Sequence, residues 1–398
     1  MSMDFQNVNL LNIRLNLLSG NLLPMTNLNS SFPFFWKIHS IFTWMLTTIM
    51  AILIIPGCIY VSIEKALKDG MICLAIFTEM SFMILRIHSR KDVVYELIRK
   101  LNEILHTADE AMKNVVTATL EPVRVPLNFY WSGGVASIIV WICMPLLLVF
   151  ERNLFFYEDY RIPVVFSVQP FSFKIFLLGS LFLVIGSIFL FLKKVGVDVY
   201  MVHLILMMTA QYRYIATKIA IIFQEEYNSV ESQKKHLSGL DRRKEKKIKA
   251  LCRHHNEIIY TTSLLKKLLS LNFSLIYVIS VFRFCFLGIM LSSITSTTFW
   301  EAILIVIYSS GAVVQLYILC SCVQQLLDAS TEMTDKAFHE KWHLSQSSMK
   351  RIFILIIMAN NLECKVATFE KFNLSLPSFM MILNQSYSIA LLFLRVKS

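Results

Sequence analysis

A chain of 398 residues in which 56% are hydrophobic and only 16% charged is too apolar for an ordinary soluble domain, so the sequence describes a membrane protein. Its formal charge of +11 is gathered into a few connections and reads as membrane-loop charge rather than a nucleic-acid surface, the basic run Arg242 to Lys249 included.

The chain begins with "MSMDFQNVNLLNIRLNLLSG", which has neither the continuous apolar core nor the small-residue cleavage site of a signal peptide. The first span is therefore expected to direct insertion. Roughly 20 apolar residues carry a helix across the hydrocarbon. In chain order the runs that qualify are Ile38 to Ile63, Gly70 to Leu85 with Glu79 inside it, Val125 to Phe150 and Ile175 to Leu192. Leu268 to Trp300, interrupted by Arg283, Ala302 to Leu327 and Phe372 to Leu394 complete them. The expected fold is an all-α membrane protein with seven transmembrane helices.

Basic residues are retained on the cytoplasmic side. They cluster after span two (Arg86, Arg90, Lys91, Arg99, Lys100), after span four (Lys193, Lys194, then Lys234 through Arg253) and after span six (Lys336, Lys341, Lys350, Arg351). The amino terminus is thus expected to be cytoplasmic and the carboxyl terminus extracellular, the reverse of a G-protein-coupled receptor. An intramembrane charge costs about 2.5 to 3.5 kcal/mol on insertion scales. Glu79 is accordingly either a pocket carboxylate or paired, and Arg283 either an interhelical partner or close to an interface.

Three stretches beyond the spans keep apolar residues at helical spacing: Val199 to Phe223, Ile248 to Leu271 and Arg351 to Asn361. They are expected to form a cytosolic helical stalk, packed on one another and on neighbouring subunits. Cys58, Cys73, Cys143, Cys285, Cys320 and Cys322 fall in spans, and Cys252 and Cys364 on the expected cytosolic side, so no disulfide framework is anticipated. Neither Cys320 with Cys322 nor His203, His254 and His255 has metal-ligand spacing. With no HExxH, GxSxG or phosphate loop, no catalytic residue, metal or cofactor is expected and the chain is not read as an enzyme.

The last span places Asn384, Gln385, Ser386 and Ser388 at its centre. Such a cluster either lines water or hydrogen-bonds a neighbouring helix. At helical spacing Asn384, Ser388, Leu392 and Arg395 or Val396 share one stripe. Polar side chains followed by Leu392 and Val396 suit a pore with a hydrophobic gate, which one copy of the chain cannot close.

Ser375-Leu376, Phe379, Ile382-Leu383, Ser386-Tyr387-Ser388 and Leu391-Leu392 resemble the carboxyl-terminal signature of insect odorant receptors. The region around Trp342, "CSCVQQLLDAS" and "CRHHNEIIYTTSLLKKLLSLNFS" resemble the same family. The resemblance implies a ligand-gated, non-selective cation channel subunit in the plasma membrane of sensory neurons. It implies a hetero-tetramer with the odorant receptor co-receptor, a cytosolic anchor of extended helices and a small volatile odorant as ligand. Membrane lipid and permeant cations are the other implied partners, and nucleic acid is not one. The implied division puts six helices and the pocket in 1–350, then a short cytosolic helix and the pore helix in 351–398. The gate falls on Leu392 and Val396, and Arg395 stands where the co-receptor has a neutral amide. The implied odorant pocket, in the outer halves of spans two, three, four and six, offers Ile76, Phe77, Trp141, Met144, Phe176, Gly179, Ser180, Tyr308 and Ser309. Two other readings stay open. One is a gustatory receptor channel, although its terminal Thr-Tyr and later Gln-Phe pattern is not evident. The other is a heptahelical receptor signalling through a G protein, against which the last span has "NQSYS" in place of Asn-Pro-x-x-Tyr.

Overall fold

The structure, a computed structural model, describes residues 3–26, 32–150, 152–230, 237–292, 299–339, 350–351, 354–358 and 374–397. Side chains at 64, 68, 223–230, 237–244, 300–301, 304, 394 and 396–397 lie outside that description. The expected short helix Arg351 to Asn361 is described only at 351 and 354–358, where 354–358 is helical.

Besides the helical residues 354–358, ten α-helices are described: α1 (Leu10–Leu18), α2 (Phe34–Tyr60), α3 (Ile63–Lys65), α4 (Met71–Ser89), α5 (Lys91–His106), α6 (Glu110–Cys143), α7 (Phe173–Val230), α8 (Leu237–Ser292), α9 (Phe299–His339) and α10 (Leu376–Lys397). Seven are long and apolar enough to cross a membrane, namely α2, α4, α6, α7, α8, α9 and α10. The apolar run Leu268 to Trp300 is divided between two of them. α8 ends at Ser292 and Trp300 belongs to α9.

Between α6 and α7 the strands β1 (Leu154–Phe155) and β2 (Phe171–Ser172) pair antiparallel. Their loop caps one end of the bundle with an aromatic cluster. Phe155 stacks on Phe176 at 4.2 Å, and Tyr160 lies 5.1 Å from Phe176 and 5.5 Å from Phe171. A Cβ on Gly57 of α2 would collide with the Pro163 backbone, so only glycine lets this cap sit down on α2. Lys65, just outside the spans, donates to the Glu158 carbonyl at 2.6 Å. Burial lowers its ammonium from the ordinary lysine value, and Asp69 acts in the opposite direction.

The axis of the molecule is α7. Every residue from Lys193 to Tyr212 is buried, as a helix apolar on all sides requires. Around its lower half the amino-terminal segment wraps back. Tyr200 donates to the Pro24 carbonyl at 2.7 Å, the Asn21 amide to the Lys193 carbonyl at 2.9 Å, and the Phe5 N–H to Asn102 at 2.7 Å. His203 Nε2 stands 3.1 Å from the Phe5 carbonyl. Of the expected stalk segments, Val199 to Phe223 thus packs in part on the chain's own amino terminus. The turn that returns the segment uses positive φ at Gly20 (69°) and Leu22 (50°).

Lys193 and Lys194, read from the sequence as loop charges, are instead buried in the bundle. Lys193 Nζ lies 4.3 Å from the ring centre of Trp44 on α2, so an aromatic face takes the place of water.

Candidate functional site

Beneath the capping loop a cavity of about 190 Å³ lies between α4, α6, α7, α8 and α9. Its walls are mostly apolar: Ile72 and Ile76 from α4, Ile138 and Trp141 from α6, Leu190 and Phe191 from α7, and Ile307 and Tyr308 from α9. Gly134 on α6 shapes it, because a Cβ there would run into the Phe191 ring. Trp141 and Tyr308 face each other with ring centres 5.9 Å apart. Over Trp141, at 3.9 Å from its ring centre, sits the guanidinium of Arg161 from the capping loop, which also stands 3.7 Å from Asp69. The loop therefore closes the upper end with a cation–π contact.

The deep end is polar. Lys194 on α7 stands 2.6 Å from Asp198 one turn on and 3.0 Å from Glu79 of α4. Asp198 accepts two further hydrogen bonds, from Tyr130 of α6 at 3.2 Å and from the Gln315 amide of α9 at 2.7 Å. Gln315 in turn accepts from Nη1 of Arg283 on α8 at 2.9 Å. Tyr130, Lys194, Arg283 and Gln315 all line the cavity, whereas Glu79 and Asp198 stand behind them. One connected network thus joins five helices. Buried charges persist when paired and hydrogen-bonded, and these are 7% exposed or less at Glu79, Lys194, Asp198 and Arg283.

Of the side chains expected at the ligand, Ile76, Trp141 and Tyr308 line the cavity; Phe77, Met144, Phe176 and Ser180 are not among its lining residues. Phe176 is fully buried under Phe155 and Tyr160, and Met144 opens a 3-10 turn that runs to Phe150. At Gly179 a Cβ would meet the Tyr160 hydroxyl, which ties that face of α7 to the capping loop. Of the polar floor, Glu79 and Arg283 stood out in the sequence and are both partnered across helices, whereas Lys194, Asp198, Tyr130 and Gln315 were missed. Lys194 and Asp198 are four apart with apolar residues on both sides, "FLFLKKVGVDVYMVHLILMM", and an i,i+4 ion pair inside an apolar run is the signal that could have found it.

The polar cluster of α10 divides between the two roles open to it. Ser386 is buried and donates to the Val281 carbonyl of α8 at 3.0 Å as well as to Ile382 in its own helix, and Gln385 accepts from Tyr277 of α8. Ser378, Ile382, Ser386 and Ala390 form the stripe that meets α8, and a Cβ on Gly288 would stand 3.1 Å from that of Ala390. The opposite face is exposed in the single chain: Met381, Asn384, Ser388, Leu392 at 64% and Arg395. The Val396 side chain lies outside the described residues.

Nothing in this arrangement positions a nucleophile against a base. Among the described residues no group of three His, Cys, Asp or Glu could hold a metal ion.

The family described as 7tm Odorant receptor matches residues 62–387. Odorant receptor 67a of Drosophila melanogaster is 25% identical over 142 residues, 36% of this chain and 34% of that protein, so the matched segment spans about a third of the relative's length. The olfactory receptor OR5 of Machilis hrabei, in complex with eugenol, superposes with a TM-score of 0.79 at 14% identity, over 99% of this chain and 100% of that one. Another structure of the same receptor gives 0.77 at 13% identity, over 97% and 96%. These likenesses establish a shared fold.

Proposed function

The chain belongs to the 7tm odorant receptor family, and on that premise we propose that it is the odorant-binding subunit of a ligand-gated, non-selective cation channel. It is a multi-pass membrane protein and a receptor rather than an enzyme. The proposed assembly is a hetero-tetramer with the odorant receptor co-receptor in the plasma membrane of sensory neurons. The amino terminus is cytoplasmic, following the Lys and Arg distribution, and within 351–398 a short cytosolic helix precedes the helix that lines the pore.

The observation that carries this reading is that one helix touches both sites. α8 brings Arg283 to the cavity and, on neighbouring turns, holds α10 through Tyr277, Val281 and Gly288. A ligand that shifts α8 therefore acts on α10 directly. The exposed stripe of Asn384, Ser388, Leu392 and Arg395 is the face proposed to line the pore, with Leu392 and Val396 as its gate. Ile76, Trp141 and Tyr308 are proposed as odorant contacts, and the eugenol complex of the Machilis receptor supports a small aromatic-sized ligand in this fold.

Magnitudes agree with modest affinity. A cavity of ~150 Å³ holds benzene, so this one suits a slightly larger volatile. Burying roughly 250 Å² at about 25 cal/mol/Å² yields about 6 kcal/mol before the entropic cost of association. Turning a gate from about 1:99 to 99:1 takes roughly 5.5 kcal/mol of differential binding, which favours contributions from several subunits. The test is cation current from cells expressing this chain with and without an insect co-receptor during application of a volatile panel. Odorant-evoked current in the pair, without guanine nucleotide, supports the proposal; surface-expressed pairs silent to every volatile overturn it.

A further inference from the structure

We propose that the ligand of this cavity is an uncharged volatile carrying a hydrogen-bond-accepting oxygen, a ketone, aldehyde or ester, and that this oxygen docks at the deep end beside Arg283 and Gln315. The inference rests on the reading of the cavity as the odorant site. Arg283 is 4% exposed and lines the cavity, yet among the described residues its one hydrogen bond runs from Nη1 to Gln315. Its Nε is buried with no hydrogen-bond partner. A guanidinium has five N–H donors and no acceptor, so this one has more donors than its bond to Gln315 uses, at the polar end of a mostly apolar chamber. A buried donor left unmade is costly, and an acceptor oxygen delivered there removes that cost. Charge assistance from the guanidinium makes the bond stronger than one between neutral partners.

The same network argues against charged ligands. Glu79, Asp198, Lys194 and Arg283 carry two negative and two positive formal charges, which sum to zero. A carboxylate entering the cavity adds an anion to a balanced set and loses its water without compensation. An ammonium ion finds Asp198 already accepting from Lys194, Tyr130 and Gln315, Glu79 behind the wall, and the lining carboxylate Asp69 beside the Arg161 guanidinium. A hydrocarbon fills the apolar part but leaves the donors of Arg283 unmet.

The test uses the full chain with its co-receptor and volatiles of equal carbon number: an alkane, a methyl ketone, a methyl ester, a carboxylic acid and an amine. Half-maximal concentrations are expected to be roughly tenfold to a hundredfold lower for ketone and ester than for the alkane. Acid and amine are expected to be weakest at a pH where they are charged. In Arg283→Lys, which keeps the charge but not the fork, the ketone-to-alkane ratio is expected to fall several-fold. Alkane potency equal to ketone potency, or a preference for acid or amine, overturns the proposal. The wild-type ranking decides this even if the variant fails to reach the surface. Gly311→Leu, which fills the cavity from α9, separates the two readings. If it leaves the ketone response unchanged, the cavity is not the odorant site. If it abolishes the response while alkane and ketone are equipotent in wild type, the cavity stands and the acceptor oxygen does not.

Discussion

Tyr277 of α8 donates its phenolic hydrogen to the side-chain oxygen of Gln385 on α10 across 3.0 Å, one turn from where Ser386 reaches the Val281 carbonyl. These bonds tie the proposed pore helix to the helix that bears Arg283. Tyr277→Phe keeps the ring and removes the bond, a change of about 0.5 to 1.5 kcal/mol. The expected result is a shift of roughly 2- to 10-fold in half-maximal odorant concentration with unchanged reversal potential. An unaltered concentration–response curve would disconnect this bond from gating.

Gly311 lines the cavity and has no atom within 4 Å of where a Cβ would stand. Gly311→Ala is therefore expected to express normally, with a helix-propensity gain of up to about 1 kcal/mol. Gly134→Ala meets the Phe191 ring instead and should narrow the cavity by displacing it. Across a ligand series of increasing size, the Gly134 variant is expected to lose the largest ligands first. Equal profiles for the two variants would contradict the cavity geometry.

Lys194→Met leaves two buried carboxylates, Glu79 and Asp198, without their shared cation. Breaking a buried ion pair in this way costs about 3 to 5 kcal/mol. Thermal stability of the detergent-solubilised protein should fall sharply. Adding Asp198→Asn to Lys194→Met is expected to recover part of the loss. If the single variant melts like wild type, the network carries no structural weight.

Leu392 is 64% exposed on the face of α10 that one chain leaves uncovered. Under the pore proposal Leu392→Ser wets the constriction, and current is expected without odorant at a level well above the wild-type baseline. Arg395→Gln removes a cation from the same face and is expected to raise single-channel conductance for monovalent cations. Patch-clamp recording reads both. Wild-type baseline and conductance in both variants would place the pore elsewhere.

The spans were legible because a membrane-crossing helix needs only length and apolarity, both of which survive in linear sequence. The site was legible in part. Trp141 and Tyr308 are large side chains near span ends and announce themselves, but the partners of Glu79 and Arg283 are set by how five helices meet. Lys194 carries the same letter whether it faces water or two carboxylates, so charge counting assigned it to a loop. The packing of the amino terminus was illegible for a related reason. Asn16 and Asn21 look like solvent-facing residues, yet they are buried, Asn16 bonding both backbone groups of Leu23 and Asn21 the Lys193 carbonyl. In α10 the sequence held two roles open for one polar cluster, and residues two apart took one each: Ser386 turned to α8 and Asn384 away from it.

The balance of charge at the cavity floor bears on how the receptor responds to the membrane potential. A displaced elementary charge would feel about 2.3 kcal/mol per 100 mV. With two anions and two cations tied into one network, a concerted shift of the floor moves almost no net charge through the field. Engagement of a ligand at this floor is then expected to depend little on the membrane potential, whatever the driving force on the permeant ions.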